Sequence, residues 1–382
     1  MNSLKAPSVT VNDVARSAGV SVGTVSRVLN GAANIAPENL AKVQKAMSDL
    51  GYQKHHSAGL LASRKNGSSS RSGNIGLVFA DAGPAWSNHP LISAYTMGIE
   101  EACRESGFHP LVELASPSGD LPRCVREGKV DGLLVKATRG VPSFVKNLPA
   151  HLPVILISVN DPAVNIPQVA PDNQGAGWVV ADHLWKKGHR RIAFVCTDSM
   201  HPMFITRMHG YESYLRLKGT FDPALVVMES QVENPSVPEE TPPDMEAVLD
   251  RLLVATRGAE PTAIITANDW MARGLYDAIA RRGLKVPQNI SVVGFDNVGM
   301  LCATMSPTLT SFDLDFSAVV RAAAMDLFDY IEEPGLKRDP SVRLVRGHLV
   351  ERESVRGLVS IGNDPDGEEA KSSNPELLSV TR

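Results

Sequence analysis

Cysteine is scarce: Cys103, Cys124, Cys196 and Cys302 are the only four in 382 residues. They are scattered, with no C-x-x-C pair and no accompanying histidine pattern, so neither a disulfide framework nor a zinc site is expected. The ten histidines show no ligand spacing, and no metal or cofactor is called for. No convergent nucleophile or acid–base pair stands out, which argues against an enzyme. The sequence also lacks any apolar run long enough to cross a bilayer, and its N-terminus has no apolar stretch of signal-peptide length. A cytoplasmic protein of bacterial type, with no membrane partner, is the expectation. The stretch 357–382 is rich in Gly, Ser, Asp, Glu and Pro and has no heptad repeat; it reads as disordered and supports no tetramerising coiled coil.

What is present is an ordinary globular composition, 43% hydrophobic and 21% charged, with length for two or three domains. Charge is unevenly placed. Residues 1–65 sum to +5 and the remainder to −9. A basic head on an acidic body suits a protein that presents one end to phosphates.

Residues 10–30 organise that head. Thr10 can cap a helix, with Asp13 at the third position favoured by the helix dipole. Val11, Val14, Ala15 and Ala18 recur at helical spacing, and Gly19 stops the helix. Ser21 then caps a second helix with Val25, Val28 and Leu29 on one side and Val22, Gly23, Ser26 and Arg27 towards another. Two short helices joined at a glycine form a helix-turn-helix, whose second helix enters the DNA major groove. Ser21, Val22, Gly23 and Thr24 would meet base edges or phosphates, and Arg27 can grip guanine with two hydrogen bonds. The competing reading is a helical hairpin with a solvated arginine. A third helix starts at Pro37, with Leu40, Val43, Met47 and Leu50 as its apolar stripe and Gly51 at its end.

Residues 52–64 form at most a marginal helix, weakened by Gly59, and 66–73 is a Ser/Gly linker that marks a boundary. From residue 74 short β-branched strands alternate with amphipathic helices, which implies parallel sheets covered on both faces. Strands are expected at 74–80, 110–114, 131–135, 153–157, 191–195, 224–228, 263–266 and 291–295, too many for one comfortable sheet. Two α/β lobes are more economical. A late helix at 315–332 and a late strand at 342–345 follow, and 232–243 reads as a surface loop. Between such lobes a small ligand sits at the strand C-termini. Asp81, Ser158, Asn268, Asp269, Asp296 and Asn297 occupy those ends, where helix capping is the alternative role. The domain plan is a head at 1–51, a hinge and linker at 52–73, a two-lobed core at 74–356 and a tail at 357–382.

These residues resemble the LacI/GalR transcriptional regulators. The matching stretches run in the family's order from VNDVARSAGVSVGTVSRVLNG at the start, through HLWKKGHRRIAFV (183–195), RMHGY (207–211), TANDWMARGL (266–275) and SVVGFDN (291–297), to the closing VERESV. The resemblance implies a helix-turn-helix head, a hinge helix and a two-lobed core like the periplasmic sugar-binding proteins. It implies a homodimer on near-palindromic double-stranded operator DNA, acting as a repressor gated by a small-molecule effector, a sugar. Asn30 falls within the matching head. Leu61 holds the position of the family's minor-groove wedge, with Ala58 on the same face. For the effector it points to Arg207, Asn268 and Asp296 with Phe316 as an apolar wall, alongside Asp81 and Ser158 at the strand ends. The chain departs from the family at Lys54 and His55, where proline and asparagine are common. It departs again at Ser158, where many sugar-responsive members carry aspartate, and in the insertion 83–88 with Trp86. Two other binding functions stay open: a solute-binding protein, and a regulator answering chiefly to a protein co-regulator.

Overall fold

The computed structural model describes residues 10–29, 35–50, 71–80, 90–116, 119–137, 139–229, 243–333 and 340–358. Contacts divide the chain into two units, Met1–Ser72 and Gly73–Arg382. The expected hinge helix at 52–64, the insertion 83–88 and most of the loop 232–243 and of the tail lie outside the described residues.

In the first unit α1 (Val11–Ala18) opens on a capping box. The Thr10 hydroxyl accepts from the Asp13 amide at 3.3 Å while the Asp13 carboxylate accepts from the Thr10 amide at 2.9 Å. Gly19 closes the helix at φ 65°, a left-handed turn that suits glycine. Ser21 caps α2 (Val22–Leu29) by accepting from the Thr24 amide at 3.2 Å. Val14, Ala15, Ala18 and Val25 pack with Val43 and Ala46 of α3 (Pro37–Asp49). The stripe expected on α3 is narrower than its leucines suggested: Leu40 and Leu50 are exposed, and Val43, Ala46 and Met47 face the core.

The described residues of the second unit form two six-stranded sheets. The first holds β1 (Asn74–Phe79), β2 (His109–Leu114), β3 (Gly132–Lys136), β4 (Val154–Ile157) and β5 (Gln168–Pro171), with β1 between β2 and β3. The second holds β6 (Ile192–Cys196), β7 (Val226–Met228), β8 (Ala263–Thr266), β9 (Ser291–Phe295) and β10 (Thr310–Asp313), with β6 between β7 and β8. Late strand β11 (Val342–Val345) returns to pair with β5 in the first sheet, and β12 (His348–Val350) pairs antiparallel with β10 in the second. Every other pairing among the described residues is parallel. Central strands such as β3, β6 and β9 are buried at all positions, as expected of sheets covered on both faces.

The chain therefore passes between the lobes three times, after β5, after β10 and between β11 and β12. The first passage leads into α6 (Asn173–Lys186), which packs on α7 (Pro202–Leu217) across two glycines. A Cβ on Gly177 would meet the Arg207 carbonyl oxygen at 2.0 Å, and one on Gly210 the Gln174 carbonyl oxygen at 2.0 Å. The second passage leads into α11 (Phe316–Glu332), which lies on α4 (Leu91–Ser106) of the first lobe. The intervening short helix α5 (Arg123–Arg126) precedes β3; α8 (Glu246–Ala255), α9 (Asp269–Arg281) and α10 (Gly299–Thr304) belong with the second sheet. One apolar core, which includes Phe79, Tyr95 and Leu134 of the first lobe and Phe194, Ile265 and Val293 of the second, runs through both. Among the described residues no helix is long and apolar enough to cross a membrane.

Candidate functional site

The second helix of the head has two faces. Val25 is fully buried, whereas Ser21, Gly23 and Arg27 are exposed and Val22 is 47% exposed. Thr24 is half-buried, its hydroxyl 2.9 Å from that of Ser21. The exposed face thus joins small side chains at a helix N-terminus, whose free amides favour anions, to a long cation one turn on. Ser26 lies within the helix; its side chain, and all of Asn30, Ala58 and Leu61, fall outside the described residues.

In the core, the strand-end residues occupy the boundary between the lobes. Three of them, Ser158 (φ 66°), Asp296 (φ 93°) and Asn297 (φ 46°), are non-glycine residues at positive φ. Such conformations cost of order 1–3 kcal/mol each and gather at ligand-binding turns. A cavity of about 330 Å³ is lined by Leu91 and Ala94 from the start of α4 and by Asp296, Asn297, Met300, Asp313 and Phe316. That size lies at the small end of the ligand pocket range, roughly 300–1,000 Å³. Asp296 and Phe316 thus share one cavity wall.

Ser158 is linked to that wall. Its hydroxyl lies 3.2 Å from the Tyr95 hydroxyl, and the Tyr95 ring stacks on Phe316 at 5.2 Å between centroids. Tyr95, readable from sequence only as an inward helix residue, thus bridges β4 and α11, and burial raises its pKa. Asn268 caps α9, its side-chain oxygen accepting from the Met271 amide at 2.8 Å. Asp81 lies outside the described residues.

Arg207 is the least exposed of the expected site residues, at 0%. Its Nε donates to Asn173 Oδ1 at 2.9 Å, its Nη1 to the Ala267 carbonyl at 2.5 Å and its Nη2 to Asp296 Oδ1 at 2.9 Å. The guanidinium fork expected to face a ligand is, in this arrangement, committed to holding the Asp296 carboxylate. Burial raises the pKa of Asp296 and the Arg207 charge opposes that rise. Beneath it the fully buried Asp269 accepts from Ser311 Oγ at 2.6 Å, the Val298 amide at 2.8 Å and Cys302 Sγ at 3.2 Å. Burial, with the nearby Asp296 charge, lifts Asp269 to about 7 despite those bonds. It shapes the 296–298 turn from inside. Asn297 is likewise structural, donating to Asp313 at 3.0 Å and accepting from Arg352 at 2.7 Å.

Sequence reasoning passed over a second group at the same boundary. Arg139, just past β3, donates to Asp198, just past β6, so an ion pair joins the lobes directly. Lys136, the last residue of β3, is 4% exposed. The rule that singled out Asp81 and Asp296, polar residues at the carboxyl ends of strands, would have found Lys136 and Asp198 as well. The pairing of Arg139 with Asp198 across 59 positions carries no local signal. Among the described residues no group of three or more His, Cys, Asp or Glu side chains is placed to hold a metal ion.

Comparison with known proteins matches both units. Residues 10–55 fit the family model described as bacterial regulatory proteins, lacI family, and residues 181–355 that of a periplasmic binding protein-like domain. The chain is 28% identical over 313 residues to the HTH-type transcriptional regulator DegA of Bacillus subtilis, covering 79% of this chain and 85% of that protein. Among solved structures it is similar to the transcriptional regulator CelR–cellobiose complex, with a TM-score of 0.61 and 25% identity over 91% of this chain and all of that one. The lac repressor dimer bound to operator and an anti-inducer has the same fold, with a TM-score of 0.70 at 24% identity over 92% of this chain and all of that one.

Proposed function

Because the chain belongs to the lacI family of bacterial regulatory proteins, we propose that it is a repressor whose grip on operator DNA is set by a carbohydrate held between its two lobes. Its parts are a reading head at 1–51, a hinge and linker at 52–73, an effector-binding and dimerising core at 74–356 and a tail at 357–382. Ser21, Val22, Gly23, Thr24, Ser26, Arg27 and Asn30 meet the major groove. Ala58 and Leu61 enter the minor groove at the centre of the site, where a leucine wedge costs a few kcal/mol of unstacking and is offset by contacts to bent DNA. Two copies of the chain bind a near-palindromic site, since two-fold protein symmetry is mirrored in half-sites.

The effector takes its contacts from Asp81, Ser158, Asn268, Asp296 and Phe316, with Arg207 fixing the Asp296 carboxylate in place. Carboxylate oxygens accept from adjacent hydroxyls, and an aromatic face covers the apolar side of a sugar ring. One observation carries the reading: a cavity of ligand size is lined from both lobes, in a chain whose head exposes a helix suited to the major groove. A ligand there has different contacts in each lobe arrangement, and that difference sets its leverage, typically about 1–3 kcal/mol. The test is a mobility-shift titration of the full chain with duplex fragments from its own upstream region at low ionic strength, with and without a panel of sugars that includes cellobiose and ribose. Salt-sensitive binding, changed about 5–150-fold by one sugar, is expected. A protein that ignores every duplex in all conditions is not a repressor of this kind.

A further inference from the structure

The described residues end at Leu358, beside a cluster of cations on the second lobe. The Leu358 amide donates to the Lys187 carbonyl at 2.7 Å, just past α6, and the Arg356 carbonyl lies 3.0 Å from His189 Nε2. Lys186 and Lys187 have carboxylate partners, Asp182 at 2.7 Å and Glu351 at 3.0 Å. Arg190, Lys218 and Arg356 are exposed and make no ion pair among the described residues. Aromatic rings organise two of these three. The Arg190 guanidinium sits over Trp185, 3.8 Å from the ring centroid; the Lys218 ammonium is 5.8 Å from the same centroid and 5.5 Å from that of Tyr214. Arg190 is fixed there because its Nη1 donates to the Trp185 and His189 carbonyls at 2.9 and 3.2 Å. Ring contacts and backbone bonds thus hold in place positive charge that no described carboxylate pairs with.

The chain that follows Leu358 carries the opposite sign. Residues 359–370 contain Asp364, Asp366, Glu368 and Glu369 and no lysine or arginine. Asp364 stands six positions beyond Leu358, and an extended chain spans at most about 3.3–3.6 Å per residue, so the start of the run reaches any point within roughly 20 Å of its exit. The cationic platform begins at that exit, since Leu358 is bonded to the residue after α6. We propose that the acidic run 364–369 docks on the platform formed by Arg190, Lys218 and Arg356 of its own chain. Exposed ion pairs are individually weak. A tether this short, however, keeps the carboxylates at an effective concentration in the millimolar range, and several pairs then act together. A composition that builds no core of its own is no obstacle, because the contact needs charge and reach rather than buried apolar surface. The docked run withholds this end of the second lobe from other polyanions, nucleic acid included.

The experiment is carbodiimide coupling of the full chain, which condenses a carboxylate with a lysine amine where the two meet, read by mass spectrometry of the digested protein. An equal mixture of ordinary and nitrogen-15-labelled chains separates coupling within one chain from coupling between copies. The Lys187–Glu351 pair, 3.0 Å apart, is the internal standard, and Lys146, exposed on the first lobe, is the control. The expected result is that Lys218 couples within one chain to carboxylates of the run 364–369, at a yield well above that of Lys146. Raising salt from about 0.01 M to about 1 M shortens the screening length from about 30 to about 3 Å, and should cut the Lys218 product about fivefold relative to the standard. The variant R190Q/R356Q keeps Lys218 as the reporter and should lower the product about threefold; thermal unfolding followed by circular dichroism checks that it folds. Equal coupling of the run to Lys146 and Lys218 overturns the docking. A Lys218 product unchanged by both salt and R190Q/R356Q overturns its electrostatic basis. Products that join mainly labelled to unlabelled chains put the run on a second copy and overturn the assignment to its own.

Discussion

Replacing Arg207 by methionine isolates the buried pair at the lobe boundary, because methionine fills much of the same space and has no charge. The change removes donors from Asn173, from the Ala267 carbonyl and from Asp296, whose side chain is 11% exposed. Breaking a buried pair by deleting one partner costs about 3–5 kcal/mol, mostly because the other charge stays behind. In a core of this size that corresponds to a fall of roughly 6–20 °C in unfolding temperature. The penalty should depend on pH in a definite direction. Burial already raises the pKa of Asp296, and Arg207 is the largest opposing influence. With Arg207 gone the folded carboxyl holds its proton to higher pH than the unfolded one, so the folded state binds more protons and stability falls as pH rises through that raised pKa. Urea unfolding of wild-type and variant chains at pH 5 and pH 8 measures this, and the difference should be larger at pH 8. A loss below about 1 kcal/mol, or one equal at both pH values, would refute the view that Arg207 neutralises Asp296.

The Arg27→Ala change should weaken operator binding by about 1–3 kcal/mol and relax preference at one base pair; unchanged affinity in a mobility-shift titration would remove Arg27 from the readout. Gly177→Ala should destabilise the core by about 1–3 kcal/mol despite alanine's better helix propensity, because its Cβ meets the Arg207 carbonyl, and a melting temperature at or above wild type would contradict the close helix contact. His189 is fully buried between Thr262 and the Arg356 carbonyl, and burial holds it at about 4. The unfolded chain therefore takes up a proton first as pH falls below about 6.5, and stability present at pH 7 is lost down to about pH 4, with about 2 kcal/mol gone by pH 5. A His189→Gln chain should lack that component in urea titrations at the two pH values, and an identical pH slope would show that His189 does not supply it.

Local chemistry made much of this legible. The Thr10 and Asn268 caps, the Gly19 turn and the buried runs of β1, β3, β6 and β9 depend on residues a few positions apart, and each stands where its own sequence puts it. The short strands Gln168–Pro171, Thr310–Asp313 and His348–Val350 were not legible, because three or four residues containing proline, aspartate or histidine become strands only when a distant partner supplies the ladder. The same limit hid the site. Asp296 is marked by its place after an apolar strand, but that Arg207 is fully used beneath it, that Tyr95 joins Ser158 to Phe316, and that Arg139 meets Asp198 are facts of packing between segments far apart in the chain. The stripe on α3 failed for a related reason: helical period identifies a face, while the size of the neighbouring helices decides how far along it the core extends.

The triple passage between lobes also bears on how the protein is made. The first lobe to leave the ribosome is the last to be finished, since its covering helix Phe316–Glu332 and its edge strand Val342–Val345 are synthesised only after the whole second sheet but for its final strand. Until then Pro171 sits at an open sheet edge, and the apolar faces of Tyr95 and Leu134 wait for a cover. A nascent chain stalled just past residue 314 would thus carry a second lobe short of one strand and an unfinished first one, and it is the older half that would need shelter from aggregation.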